Sequence, residues 1–169
     1  MISLTDTFPA DLAPVRLGMD DLPALLAFER LANDDAWSEA LLRAALTDSD
    51  YEVWGMWSAE GAELRATAVL AHLPFDAELQ SICVLPAERR HGLARGLLAW
   101  VSESAMARGA ERLLLELRES NLAARRLYEQ AGFVIDGQRQ GYYRGEDGRG
   151  EDALLMSREL SQERASPEE

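Results

Sequence analysis

The sequence predicts an α/β (mixed α+β) domain: a central mixed sheet of about seven strands flanked by helices on both faces, in the order βααβββαβαββ. Three observations carry this. Segments with a two-residue hydrophobic period and segments with a helical one succeed each other along the chain. Pro, Gly, Asp, Ser and Asn fall between them at turn and cap positions. Arg112–Leu117 is dense in leucine, the mark of a strand buried on both faces.

Pro14–Leu17 is a short strand candidate. Asp20-Asp21 offers an N-cap for a helix carrying Pro23, Leu25, Leu26 and Phe28 and ending near Asn33. Ser38 caps a second helix bearing Leu41, Leu42, Ala45 and Leu46. Strands around Tyr51–Trp57 and Arg65–His72 are joined by AEGAE, a hairpin turn signal, and a third, Glu78–Leu85, stops at Pro86. Gly92–Arg108 is helical, with Leu93, Leu97, Trp100, Val101 and Ala105 on one side and Gly109 closing it. After the leucine strand, Ser120 or Asn121 opens a helix ending near Gly132, and Phe133–Arg139 and Asp152–Arg158 are two more strands.

Composition removes many function classes. A chain of 169 residues, 47% hydrophobic, suits one domain over residues 1–160, with 161–169 (SQERASPEE) as a flexible acidic tail. No apolar run is long enough for a membrane helix, and MISLTDTFPADLAP lacks the basic and apolar regions of a signal peptide. The single cysteine, Cys83, excludes an internal disulfide and CxxC pairs, so a cytoplasmic protein is expected. A net charge of −13 argues against nucleic acid and suits a cationic partner such as a basic peptide. All 17 basic residues are arginine, which leaves no lysine for a Walker-A loop or a Schiff base. His72 and His91 are the only histidines, with no HExxH and no GxSxG, and no metal is expected.

The strongest feature is AELQSICVLPAERRHGLARGLLAWV: a strand, a short turn through Arg89, Arg90, His91, Gly92, Leu93 and Ala94, then a helix at once. Such a turn leaves main-chain N–H groups unpaired at the positive end of a helix, a geometry that binds phosphate oxygens. Arg89, Arg90 and Arg95 add positive charge, while Gly92 and Ala94 permit close approach of a ligand. The run resembles the [RQ]xxGx[GA] pyrophosphate loop of the GCN5-related N-acetyltransferase (GNAT) superfamily, with Arg89, Gly92 and Ala94 at the fixed positions. The resemblance implies the GNAT fold, acetyl-CoA as cosubstrate, and main-chain binding of its pantetheine arm by Ile82, Cys83 and Val84. Cys83 itself reads as a small apolar strand residue rather than a nucleophile, since no histidine adjoins it.

Acetyl transfer to an amine requires a base, an oxyanion site and an acid for the leaving thiolate. Glu116, a carboxylate within the leucine strand, either pairs with an arginine such as Arg118 or acts as a base. Tyr128 shares a helix face with Asn121, seven residues earlier, and is either a packing tyrosine or a proton donor. LELRESNLAARRLYEQAGF resembles the corresponding segment of the RimI-type ribosomal-protein-alanine N-acetyltransferases. That resemblance implies Glu116 as base, Tyr128 as acid, Asn121 as a CoA contact and an oxyanion site at a backbone N–H near Val84.

Two further segments resemble the same family. DDAWSEALL matches its PWSE stretch, with Ala36 in place of proline, and RQGYYRGEDGRGEDALLMSREL matches its tail, with an additional Gly150. These imply that Trp37, Tyr142 and Tyr143 contact the acceptor, a basic protein N-terminus beginning with alanine from a small-subunit ribosomal protein. Transfer to a small-molecule amine and a non-catalytic acyl-CoA-binding module are the alternatives. Oligomeric state and acyl-chain selectivity are not specified by the residues.

Overall fold

The computed structural model describes residues 8, 12–144 and 147–160; the expected tail, 161–169, lies outside them. The elements follow the expected order: β1 (Val15–Arg16), α1 (Leu22–Ala32), α2 (Glu39–Thr47), β2 (Tyr51–Trp57), β3 (Leu64–His72), β4 (Ala77–Val84), α3 (Leu93–Ala107), β5 (Arg112–Arg118), α4 (Leu122–Gln130), β6 (Val134–Arg144) and β7 (Gly150–Glu159). One seven-stranded sheet results, ordered β1-β2-β3-β4-β5-β7-β6. All neighbours are antiparallel except β4 and β5.

Local chemistry sets the helix starts. Ser38 Oγ accepts the Leu41 N–H at 3.2 Å and caps α2. Asn121 Oδ1 accepts the Ala124 N–H at 3.2 Å, so Asn121 rather than Ser120 opens α4. Asp21 departs from expectation: its carboxylate accepts the Gly18 N–H at 2.9 Å. It thereby closes a 3-10 turn over Met19–Asp21 ahead of α1 and makes no side-chain cap on the helix.

The sheet separates two apolar clusters. The larger joins Leu97, Val101 and Ala105 of α3 to Leu113, Leu115, Leu117 and Met156. The smaller joins Leu25 and Phe28 of α1 and Leu42 of α2 to Val53, Leu64 and Val69. Burying each such leucine contributes about 1.5–3 kcal/mol. The smaller cluster draws on β2 and β3 and stops short of β5. Leu114 and Glu116 are therefore only half-buried, and β5 is not buried on both faces as its leucines suggest.

The last hairpin is longer than its pattern. β6 runs five residues past Arg139, carrying Tyr142 and Tyr143 into the strand, and its register with β7 shifts between Arg139 and Tyr143. Gly141 (φ 62°) faces Gly150 there, and a Cβ on Gly150 would lie 2.7 Å from the Gly141 Cα. The additional Gly150 is thus what lets the two strands touch.

Buried at the other end of the sheet, Glu52 (3% exposed) gathers the edge together. It accepts from Trp54 Nε1 at 2.8 Å and Ser104 Oγ at 2.7 Å, and Arg16 lies 3.4 Å away. His72 Nε2 is 3.2 Å from Glu52 Oε1 but is not aligned for a hydrogen bond, so the contact is one of charge when the imidazole is protonated. A cavity of about 260 Å³ lined by Asp50, His72, Asp76 and Arg108 opens beside them, between the β3–β4 turn and the end of α3. Among the described residues no helix is long and apolar enough to cross a membrane.

Burial pushes the Glu52 carboxyl up, but bonds from Ser104 and Trp54 and the charge of Arg16 outweigh it and hold it below its ordinary 4.5. Burial holds His72 below its ordinary 6.5. In both cases the unfolded chain binds the proton more tightly, so both contributions to stability are lost on acidification. Thermal melts should therefore fall from about pH 6.5 downward, with a second loss below about pH 4.5. Glu52→Ala should cost about 2 kcal/mol at neutral pH by leaving the half-buried Trp54 and Ser104 donors unpaired, and should flatten the lower step in a pH series of melts.

Candidate active site

The site begins at a bulge. The β3–β4 register shifts between Val69 and Leu70, so that Gln80 has no residue opposite. A bulge bends its strand, and this one falls just past the last parallel pair, Leu79 with Leu115. β4 and β5 pair only over Ala77–Leu79 and Leu113–Leu115, whereas β5 stays with β7 as far as Arg118. The sheet is forked between them. The Leu85 N–H donates to the Arg65 carbonyl at 2.9 Å. Because antiparallel ladders alternate, Cys83 turns its main-chain groups to β3, and Ile82 and Val84 turn theirs into the fork.

Two of the three residues expected to meet a pantetheine arm thus face the fork through their main chain, and Cys83 does not. Its side chain packs on the smaller cluster, with Sγ 3.6 Å from Ser81 Oγ. Burial pushes the thiol above its ordinary range, which makes it a poor nucleophile.

At the open end of β4, a 3-10 turn over Pro86–Glu88 leads through Arg89 to Gly92 and into α3. Arg90 (φ 68°) and Gly92 (φ 77°) are both left-handed. They swing the first turn of α3 outward, and no side chain caps its N–H groups. A Cβ on Gly92 would meet nothing within 4 Å, so its backbone angle, not crowding, calls for glycine. Arg90, His91 and Arg95 are exposed around this turn, with Leu93 buried and Ala94 half-buried. Arg89 has a different placement from the one its motif suggests. Its Nε donates to the Val84 carbonyl at 3.2 Å and its Nη2 to the Ala32 carbonyl at 3.3 Å, tying the turn to β4 and to the end of α1.

Glu116 stands on β5 one residue past the last parallel pair, on the face opposite α3 and α4. It is one-quarter exposed, and its partner is Arg139 of β6, at 3.5 Å, rather than Arg118. Arg118 reaches Asp35 at 3.0 Å and Glu151 at 3.3 Å and lies 4.4 Å over the Tyr143 ring. Tyr143 meets Tyr142 edge to face at 5.1 Å. The α1–α2 loop is thereby clamped against the β6–β7 hairpin beside Glu116. From the last turn of α1, buried Glu29 reaches into that loop, accepting the Trp37 N–H at 2.9 Å and Asn33 Nδ2 at 3.1 Å, and the Trp37 side chain is half-buried against the smaller cluster.

Tyr128 is the buried residue of α4, 7% exposed and 5.7 Å from the Phe133 ring. Burial raises its phenol well above the ordinary range. Asn121 sits at the start of the same helix, with its oxygen engaged as the cap. Among the described residues no three His, Cys, Asp or Glu side chains converge as metal ligands would.

The sequence reading passed over Glu29, Asp35, Glu78, Arg118 as a clamp, Arg139 and Glu151. Glu78 carried a usable signal, a carboxylate in an apolar strand, the same reasoning that singled out Glu116. The others lie in polar stretches where nothing distinguishes a clamp from a solvated surface charge.

A forked β4–β5 pair whose open strand leads into an uncapped helix start is the arrangement of one acyl-transferring class. Residues 20–133 match the model of the acetyltransferase (GNAT) family, and the chain belongs to that family. It is an N-acetyltransferase. Among its relatives, the [ribosomal protein bS18]-alanine N-acetyltransferase of Escherichia coli strain K12 is 34% identical over 141 residues, covering 83% of this chain and 93% of that protein. The crystal structure of the ribosomal-protein-S18-alanine N-acetyltransferase from Escherichia coli superposes with a TM-score of 0.81 at 32% identity, covering 93% of this chain and 99% of the other. Arabidopsis thaliana NAA60 in complex with acetyl-CoA shares the fold at 15% identity, with a TM-score of 0.76 and coverage of 88% and 98%.

Arg89 should therefore matter without any ligand. Arg89→Ala removes two bonds to main-chain carbonyls and should lower the stability of the free protein by about 1 kcal/mol, read as a drop in melting temperature. Arg90→Ala should leave that temperature unchanged.

Proposed function

We propose that this enzyme transfers the acetyl group of acetyl-CoA directly to the α-amine of an N-terminal alanine, that of a small-subunit ribosomal protein. The observation that supports this reading best is the placement of Glu116 at the mouth of the fork, beside the clamp of Asp35, Arg118 and Tyr143. The likeness to enzymes named for that reaction supports it independently. Such a substrate would place the enzyme in the cytoplasm.

The uncapped N–H groups of α3, with exposed Arg90, His91 and Arg95, take the pyrophosphate. Ile82 holds the pantetheine arm by main-chain bonds, as an added strand would be held, and Val84, whose carbonyl accepts from Arg89, turns its N–H toward the acetyl end. Glu116, working through a water, takes a proton from the acceptor ammonium. The neutral nitrogen then attacks the thioester carbonyl, and the Val84 N–H receives the developing oxyanion. Tyr128 gives its proton to the departing CoA sulfur. Its raised pKa keeps it protonated, and the same dry surroundings raise the basicity of the thiolate it serves. Asn121 lies along the same side of α4 as a CoA contact.

Trp37 and the pair Tyr142 and Tyr143 flank the acceptor's first residues. An α-amine, with a pKa near 8, suits a carboxylate base better than a lysine amine near 10.4. The chain's net charge of −13 attracts a basic terminus.

A thiol-release assay with acetyl-CoA and a short basic peptide beginning with alanine tests the reading. Mass spectrometry should locate the acetyl group on the α-amine. Glu116→Gln and Tyr128→Phe should each lower turnover about 100-fold or more while acetyl-CoA binding by calorimetry is retained. Wild-type rates in both variants would overturn the assignment of base and acid. Transfer only to small amines would overturn the acceptor.

A further inference from the structure

The α1–α2 loop is tied to the two sides of the fork by different bonds. Arg89, held on the Val84 carbonyl, also takes the Ala32 carbonyl and sets the end of α1 over β4. Asp34 follows in the loop, and its charge bears on Cys83 of the same strand. Asp35, the next residue, reaches the other side. It accepts from Arg118 Nε at 3.1 Å and from Arg118 Nη2 at 3.0 Å and 3.1 Å. Arg118 ends β5, two residues past Glu116 and so on the same face, about 7 Å further along the strand. One ion pair thus crosses the opening of the fork, a single pleat from the residue read as the base.

The two ends of this pair are unequally held. Arg118 has two further partners, Glu151 at 3.3 Å and the Tyr143 ring at 4.4 Å, and its side chain is 28% exposed. Asp35 is 66% exposed. An exposed pair contributes little to stability, so it parts at small cost. Arg118 then stays on Glu151 and Tyr143, while Asp35 is left facing solvent where another cation can reach it. Glu151 is less free to exchange, because it also accepts the Ser120 N–H at 2.8 Å.

We propose that the Asp35–Arg118 pair is a latch across the acceptor entrance, opened by an acceptor whose second residue carries a cationic side chain that replaces Arg118 on Asp35. The inference rests on the reading of this opening as the site of a protein N-terminus.

An extended peptide with its α-amine at Glu116 advances about 3.3 Å per residue. An arginine at its second position therefore spans the remaining distance to Asp35 with its side chain. A neutral second residue has to part the pair without supplying a substitute. Asp35 is then a specificity residue that works by exchange: the latch opposes the entry of every acceptor, and a cation at the second position offsets that opposition. Simple attraction of positive charge would behave differently, because it helps a cationic acceptor and leaves a neutral one unaffected.

Two peptides separate these cases. They begin alanine-arginine and alanine-serine, are identical and uncharged beyond that, and are compared by kcat/KM in the wild type and in Asp35→Asn at one salt concentration. The wild type should prefer the arginine peptide about 5-fold, the size of an exposed ion pair. Asp35→Asn should abolish the preference by raising the serine peptide about 5-fold, with the arginine peptide close to its wild-type value. Loss of the preference through a fall in the arginine peptide would leave Asp35 as a plain cation site and overturn the latch. An equal rise in both peptides would overturn the exchange, and an equal fall in both would mean a merely structural role. A wild type without the preference, or a variant that keeps it, would overturn the inference outright. Transfer to neither peptide, with small amines acetylated, would instead sink the acceptor reading beneath it, a separate and distinguishable failure.

Discussion

The early end of the parallel pairing between β4 and β5 governs the rest of this molecule. A central strand normally satisfies its main-chain groups on both sides. Here the bulge at Gln80 turns β4 away after three pairs, leaving the main-chain groups of Ile82 and the N–H of Val84 facing the fork, while Arg89 takes the Val84 carbonyl. An extended ligand lying along β4 can satisfy them as another strand would. The same divergence opens room above β5, so Glu116 comes to stand at an entrance instead of inside a layer.

The neighbouring parts are held in place by arginine. Arg89 secures the turn before α3 through two carbonyls, one on β4 and one at the end of α1. Arg118 reaches a loop carboxylate, a hairpin carboxylate and an aromatic ring together. A planar guanidinium with several fixed donors suits such bridging, which an ammonium performs poorly. In a chain without lysine, the positive charge around the site therefore serves two ends. Some of it positions backbone and loops, and some, at Arg90 and Arg95, remains exposed beside the helix start.

The order of strands and helices was readable because each element carries its own period and its own boundary residues. Ser38 capping α2 and Gly109 (φ 88°) following α3 are local events, decided by residues within a turn of each other. The turn before α3 was legible for the same reason, since its left-handed glycine and the helix it starts are contiguous. Where the reading departed from the structure, the deciding partner was distant. β6 extends to Tyr143 because Gly141 meets Gly150 across the hairpin. β5 alternates in burial because the α1–α2 layer does not reach it. Arg89 turns to main chain because the end of α1 lies within its reach.

By itself the sequence determined the class of fold, the turn that precedes α3, and the presence of a carboxylate and a phenol in suitable elements. Those features depend on residues close together in the chain, where spacing and backbone preference are sufficient. Tertiary structure alone decided that Glu116 is paired with Arg139, that Glu78 faces the same pair, and that Cys83 turns its main chain away from the fork. Each of these depends on the register between strands far apart in sequence. Register is a property of the assembled sheet, in which a single bulge changes which groups meet.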